Sequence, residues 1–162
     1  RLFGGLREVD WNVVEQAAFV ECGRAEFESD ELHFWKSIKE CLVERSPDVL
    51  LLSSVLPYLE SPYELLDEVM EWGPKYIIID RTGFVRGRRD RLTIQKVNPA
   101  IYESSYPCWF FSRKKVEEYV APVYDVCLRF DSDEWINIDA SYGGFLLRRR
   151  DLRGALNILS SV

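Results

Sequence analysis

With 162 residues, 47% apolar and 30% charged, the chain has the make-up of one globular domain able to bury a sizeable core. That mix excludes a disordered segment, and no apolar run approaches the ~20 residues of a membrane span. A net charge of −6 speaks against a general nucleic-acid binder, whose affinity rests on neutralising phosphates, so neither nucleic acid nor a membrane is expected as a partner.

The four cysteines form no CxxC pair and His33 is the single histidine, a poor basis for a zinc site or a Cys–His nucleophile. Reduced thiols in a cytoplasmic protein are the expectation. Met70 is the only methionine and the sequence opens on Arg1, which reads as a piece of a longer open reading frame.

In chain order, "DWNVVEQ" (residues 10–16) reads as a short buried strand ending at Glu15, and "AAFVECGRAEF" follows as a helix. "LHFW" is a second brief strand. "SIKECLVER" is a helix that must stop before Pro47, since the residue preceding proline disfavours helical angles. "VLLL" (49–52) is apolar without alternation, the pattern of a strand buried on both faces of a parallel sheet. "SPYE" (61–64) is a strong helix start, with a serine cap, proline in the first turn and a glutamate placed to close a capping box. Gly73 and Pro74 end that helix, and residues 76–79 form the next buried strand.

Strand, helix and strand over this length make a right-handed βαβ unit. Residues 92–97 are a further strand after the basic loop "RGRRDR", which is read as solvated charge. "NPAIYESSYPCWFF" is broken by Pro99 and Pro107 and reads as an irregular excursion. Ser112 caps a helix ending before Pro122. Residues 124–130 alternate with period two and pair with "GGFLLRRR" as a hairpin, and the C-terminal residues suit an amphipathic helix.

Ligands of open α/β sheets bind beyond the carboxyl ends of parallel strands. Three such ends are named by the pattern: Glu15-Gln16, Ser53-Ser54 and Asp80-Arg81. A carboxylate there suits ribose hydroxyls, or simply bonds the amides of the next helix. Small serines admit close approach of a flat ligand, or merely turn the chain. Asp80 and Arg81 are either an ion pair or a general base with its orienting partner. Tyr102, Tyr106 and Trp109 form an aromatic lid or belong to the core.

"WNVVEQ", "DVLLLSSVLPYLESPYELL", "YIIIDRT", "DRLTIQ" and "SYPCWFFS", in this order over roughly residues 7–135, resemble a family of class I S-adenosylmethionine-dependent methyltransferases often found with bacterial surface-polysaccharide genes. The resemblance implies a single Rossmann-like α/β domain. Its sheet would be mostly parallel with an antiparallel C-terminal edge hairpin, and its first strand would lie upstream of Arg1, since the glycine-rich loop is absent and "LFGG" (2–5) falls in or after the first helix. By position, Glu15 with Gln16 would hold the cofactor ribose, and Ser53, Ser54, Val55 and Leu56 would line its methionine and adenine side. Tyr58 stands where related enzymes often carry histidine.

Methyl transfer to a small-molecule acceptor, a sugar or polysaccharide precursor, is then the expected activity. Asp80 is the candidate base, and Arg81, Tyr58, Tyr102 and Tyr106 are candidate acceptor contacts. Two other readings stay open: a non-catalytic Rossmann scaffold or partner subunit, and a nicotinamide-dependent nucleotide-sugar enzyme, for which neither "YESSY" nor "YVAPV" supplies a Tyr-xxx-Lys pair. An aromatic-rich chain with an interrupted sheet also suggests a homodimer.

Overall fold

The structure, a computed structural model, describes residues 8–151, and the chain divides into two compact units, one ending at Pro47 and one beginning at Asp48. The predicted C-terminal helix and the "LFGG" segment lie outside the described residues.

The first unit is a small βαβα arrangement: β1 (Trp11–Val14), α1 (Ala17–Glu26), β2 (Leu32–Trp35) and α2 (Ile38–Glu44). β1 and β2 run parallel, with Trp11 opposite Leu32 and Val14 opposite Trp35. α1 returns the chain closely enough that a Cβ on Gly23 would lie 2.5 Å from the Phe34 ring, so only glycine fits there without a shift. The α2 start is built as its sequence suggests: Ser37 Oγ accepts from the Glu40 amide at 3.1 Å, and Glu40 Oε2 accepts from the Lys36 amide at 2.8 Å. β1 is shorter than predicted and not buried. Trp11 and Val14 are exposed, because among the described residues β1 pairs with β2 alone.

The second unit contains β3 (Val49–Ser53), a 3-10 turn (Leu56–Tyr58), α3 (Pro62–Trp72), β4 (Tyr76–Val85), β5 (Arg91–Lys96), β6 (Ser105–Ser112), α4 (Arg113–Val120), β7 (Tyr124–Ser132) and β8 (Ala140–Arg149). The strands form one six-stranded sheet in the order β5-β6-β4-β8-β7, with β3 paired to β4. β3–β4 and β4–β6 are parallel, whereas β4–β8, β5–β6 and β7–β8 are antiparallel. The unit is therefore mixed rather than mostly parallel. The predicted C-terminal hairpin is present, with β8 inserted beside β4 and β7 outside it.

α3 and α4 send Leu66, Val69, Val116 and Val120 into one buried cluster with Leu52, Ile77, Ile79 and Phe145. Each such side chain contributes on the order of 1.5–3 kcal/mol by leaving water. β3 itself is one-sided. Leu52 is buried, but Val49 and Leu51 on the other face are exposed at 48% and 42%, so the doubly buried strand predicted from "VLLL" is half-exposed. α3 ends as its sequence dictates, on Gly73 in the left-handed conformation at φ 71°. Its start differs from expectation: Ser61 makes no side-chain cap, and only its carbonyl engages the helix, accepting from the Glu64 amide at 3.2 Å.

The segment read as an irregular excursion contains the regular strand β6. Pro107 sits within it opposite Ile94, at a level where β5 is its only strand neighbour, so an absent N–H is tolerated.

Candidate functional site

β4 is ten residues long, more than twice its predicted length, and it changes partners midway. Residues 76–80 pair with β3, and Phe84 and Val85 then pair with β6, while β8 runs along the opposite edge throughout. At the change-over the β4–β8 register slips. Ile79 faces Phe145 and Thr82 faces Gly143, so Asp80 and Arg81 together oppose Gly144. This is a β-bulge, a device that bends a strand and re-aims its side chains.

Among the described residues two non-glycines adopt positive φ, and both are here: Ser54 at 55° and Arg81 at 49°. Each costs roughly 1 kcal/mol or more and persists only where surrounding contacts over-determine it. Those contacts are explicit. The Ser54 amide donates to the Asp80 carbonyl at 3.1 Å, Ser54 Oγ to the Arg81 carbonyl at 3.5 Å, and Thr82 Oγ1 to the Asp80 carbonyl at 3.2 Å. Ser53 Oγ donates to Asp80 Oδ2 at 3.1 Å. Ser53, Ser54, Asp80 and Arg81 are thus brought together as predicted. Asp80 and Arg81 are not each other's ion pair, however: Arg81 Nε donates to Glu134 Oε1 at 2.8 Å, and Ser132 Oγ holds the other oxygen of that carboxylate at 3.1 Å.

The other predicted residues fall variously. Leu56 is 1% exposed and packs in the core, and Val55 packs against it, so neither side chain lines an open surface. Tyr58 and Tyr106 meet edge to face at 5.5 Å. Burial first, then the neighbouring Cys108 and Tyr106, push the Tyr58 phenol up, so it stays a proton-bearing group at neutral pH. Tyr102 is exposed and lines neither of the two cavities described below. In the first unit, Glu15 and Gln16 follow β1 directly. Glu15 is exposed, its carboxylate accepting from the Gln16 amide at 2.8 Å, the local helix-start contact that was the plainer of its two readings.

A cavity of about 720 Å³ opens between the 3-10 turn and the β5–β6 hairpin, lined by Tyr58, Leu59, Glu60, Leu92, Tyr106, Pro107 and Trp109. Trp109 is both wall and core: it stacks near Phe111 and donates its indole N–H to the Leu59 carbonyl at 3.2 Å. Glu60 and Tyr142 were not singled out from the sequence. Glu60 lies between a strand end and a helix start, where a ligand-facing carboxylate is a reasonable guess. Tyr142 is registered opposite Gly83, and burial raises its phenol while Cys108 and Glu134 add to the shift. No sequence period joins residues so far apart.

Among the described residues no cluster of three or more His, Cys, Asp and Glu side chains is arranged to hold a metal, and no helix is long and apolar enough to cross a membrane. His33 lies beside Arg45, Asp10 and Glu28 in the first unit. Cys41 and Cys108 are buried, Cys22 and Cys127 exposed, and all four are free thiols.

No family model matches the sequence, and no curated protein matches it. Two solved structures are similar, both of the N-terminal domain of EvdMO1. The structure with SAH bound aligns with a TM-score of 0.52 at 11% identity, over 88% of this chain and 65% of that one. The structure in the presence of SAH and D-fucose aligns with a TM-score of 0.46 at 12% identity, over 74% of this chain and 55% of that one. The chain thus spans between 55% and 65% of the length of the solved chains it matches. At such identity the likeness is one of fold.

Proposed function

We propose that the chain belongs to an S-adenosylmethionine-dependent methyltransferase acting on an oxygen of a small, sugar-like acceptor. The observation that carries this reading is the strained junction at which Ser53-Ser54, at the carboxyl end of β3, meet the Asp80-Arg81 bulge midway along its parallel neighbour β4. That is where α/β sheets place their ligands. It is supported by the likeness of fold to a domain solved with SAH bound, the demethylated form of the cofactor, and by the sequence resemblance described above.

The residues present suit such a group. Within the second unit the short side chains of Ser53 and Ser54 let backbone approach a flat ring. When bound, S-adenosylmethionine supplies an electrophilic methyl on a positively charged sulfur, so positioning provides much of the rate. Attack forms an oxygen–carbon bond and breaks the carbon–sulfur bond, whose electron pair stays on sulfur. The hydroxyl proton must pass to a base. Asp80 is the proposed base, its Oδ2 steadied by Ser53 Oγ. Tyr58, Tyr106 and Arg81 are the proposed acceptor contacts.

Calorimetric titration of S-adenosylhomocysteine tests the reading. Binding at micromolar Kd is the expected result. Absence of heat from the complete, folded protein overturns it in favour of a non-catalytic scaffold.

A further inference from the structure

A second cavity, of about 600 Å³, adjoins the first, and the two share Glu60 and Trp109 as walls. Its lining is of a different kind: Arg88, Arg89 and Lys115 share it with Tyr63, Asp90 and a second carboxylate, Glu64. The floor is firmly built. Asp90, whose side chain is 7% exposed, accepts from Tyr63 Oη at 2.9 Å, from the Ser112 amide at 2.7 Å and from Lys115 Nζ at 2.5 Å. Lys115 also rests on the Tyr63 ring, 4.3 Å from its centroid. Asp90 is therefore fully engaged and its charge is matched by Lys115. Arg86, earlier in the same loop, is taken up by Asp139 at 3.2 Å. Arg88 and Arg89 have no partner among the described residues, although two guanidinium groups so placed are suited to a tetrahedral oxyanion.

We propose that the joined cavities hold one phosphorylated, hydroxyl-bearing ring. Its less polar face lies on the aromatic wall of Tyr58, Tyr106 and Trp109, and its phosphate lies at Arg88 and Arg89. Glu60, at the junction, accepts from ring hydroxyls and repels an anion placed there, which fixes the direction in which the ligand lies. The loop read from sequence as solvated charge is thereby the anion-binding part of the acceptor site. The proposal rests on the methyl-transfer reading only for the name "acceptor", since the groove binds with or without a methyl donor.

The probe is glucose 1-phosphate, titrated calorimetrically into the chain at low salt, with glucose and inorganic phosphate as its two halves. Binding below about 1 mM, at least tenfold tighter than either half, is expected. Arg88→Ala/Arg89→Ala, on an exposed loop where folding is not at stake, should weaken glucose 1-phosphate about tenfold and leave glucose unchanged. Tyr106→Ala should weaken glucose 1-phosphate several-fold and leave phosphate unchanged. No binding, equal binding of phosphate alone, or indifference to the double arginine substitution overturns the proposal. Glucose 1-phosphate bound by the chain, with no heat from S-adenosylhomocysteine on the complete protein, upholds this site and removes the methyl-transfer reading.

Discussion

The ends of β1 and β3 look alike in sequence, each a short apolar strand followed by polar residues, yet the structure treats them differently. After β1, the Glu15 carboxylate bonds to the amide of its own neighbour, on an extended backbone that enters α1 directly. After β3, Ser53 and Ser54 bond to residues 27 positions away, and the left-handed Ser54 faces a bulge with a left-handed residue of its own. The first end needs no unfavourable backbone angle, and its tie to β2 is an ordinary ladder bond from the Glu15 amide to the Trp35 carbonyl at 3.1 Å. The second is held in an unfavourable backbone state by the tertiary structure. Such strain marks where a fold has given up stability for position.

The largest effect should come from removing the space that the bulge needs. A Cβ at Gly144 would intrude on the Ile79 carbonyl oxygen and on the Phe130 ring, and neither backbone nor packed ring yields easily. Gly144→Ala should destabilise by about 3 kcal/mol or more, read from the denaturant midpoint. A loss under about 1 kcal/mol would mean that the bulge is not over-determined. A smaller effect of opposite sign is expected at Ser54. Glycine adopts positive φ freely, so Ser54→Gly should stabilise by about 0.5 kcal/mol despite losing the 3.5 Å contact to the Arg81 carbonyl. Destabilisation would show that the strain is already relieved by that contact. The smallest belongs to β1: Glu15→Gln should shift the midpoint by less than about 0.5 kcal/mol, since an exposed local hydrogen bond is replaced by a similar one. A loss of 2 kcal/mol there would erase the contrast between the two ends.

The same contrast sets what the sequence discloses. The helices α2, α3 and α4 are legible because their stops and starts are local. Pro47 and Pro122 bound two of them, Gly73 ends a third, and Ser37 and Ser112 supply real caps. The end of β3 is legible too, since the change from Leu52 to Ser53-Ser54 marks it. The bulge was not, because Asp80-Arg81 looks like a terminus until Gly144, far along the chain, proves to be its counterpart. β6 was concealed by Pro107, whose tolerance depends on having one neighbour, a fact of topology and not of composition. The two cavities need Tyr58, Trp109 and Arg88 to converge from three elements, and no periodicity encodes that.

β4's place in the sheet also has a consequence for how the chain is made. The apolar run from Tyr76 to Ile79 finds its partner β3 early, through the short α3 crossover, but its other edge waits for β8, some 65 residues later. During synthesis that edge, with its unpaired amides and three adjacent isoleucines, is on offer to any extended segment nearby. The charged hairpin β7–β8, arriving after the other described strands, completes the ladder and also withdraws that apolar edge from competition.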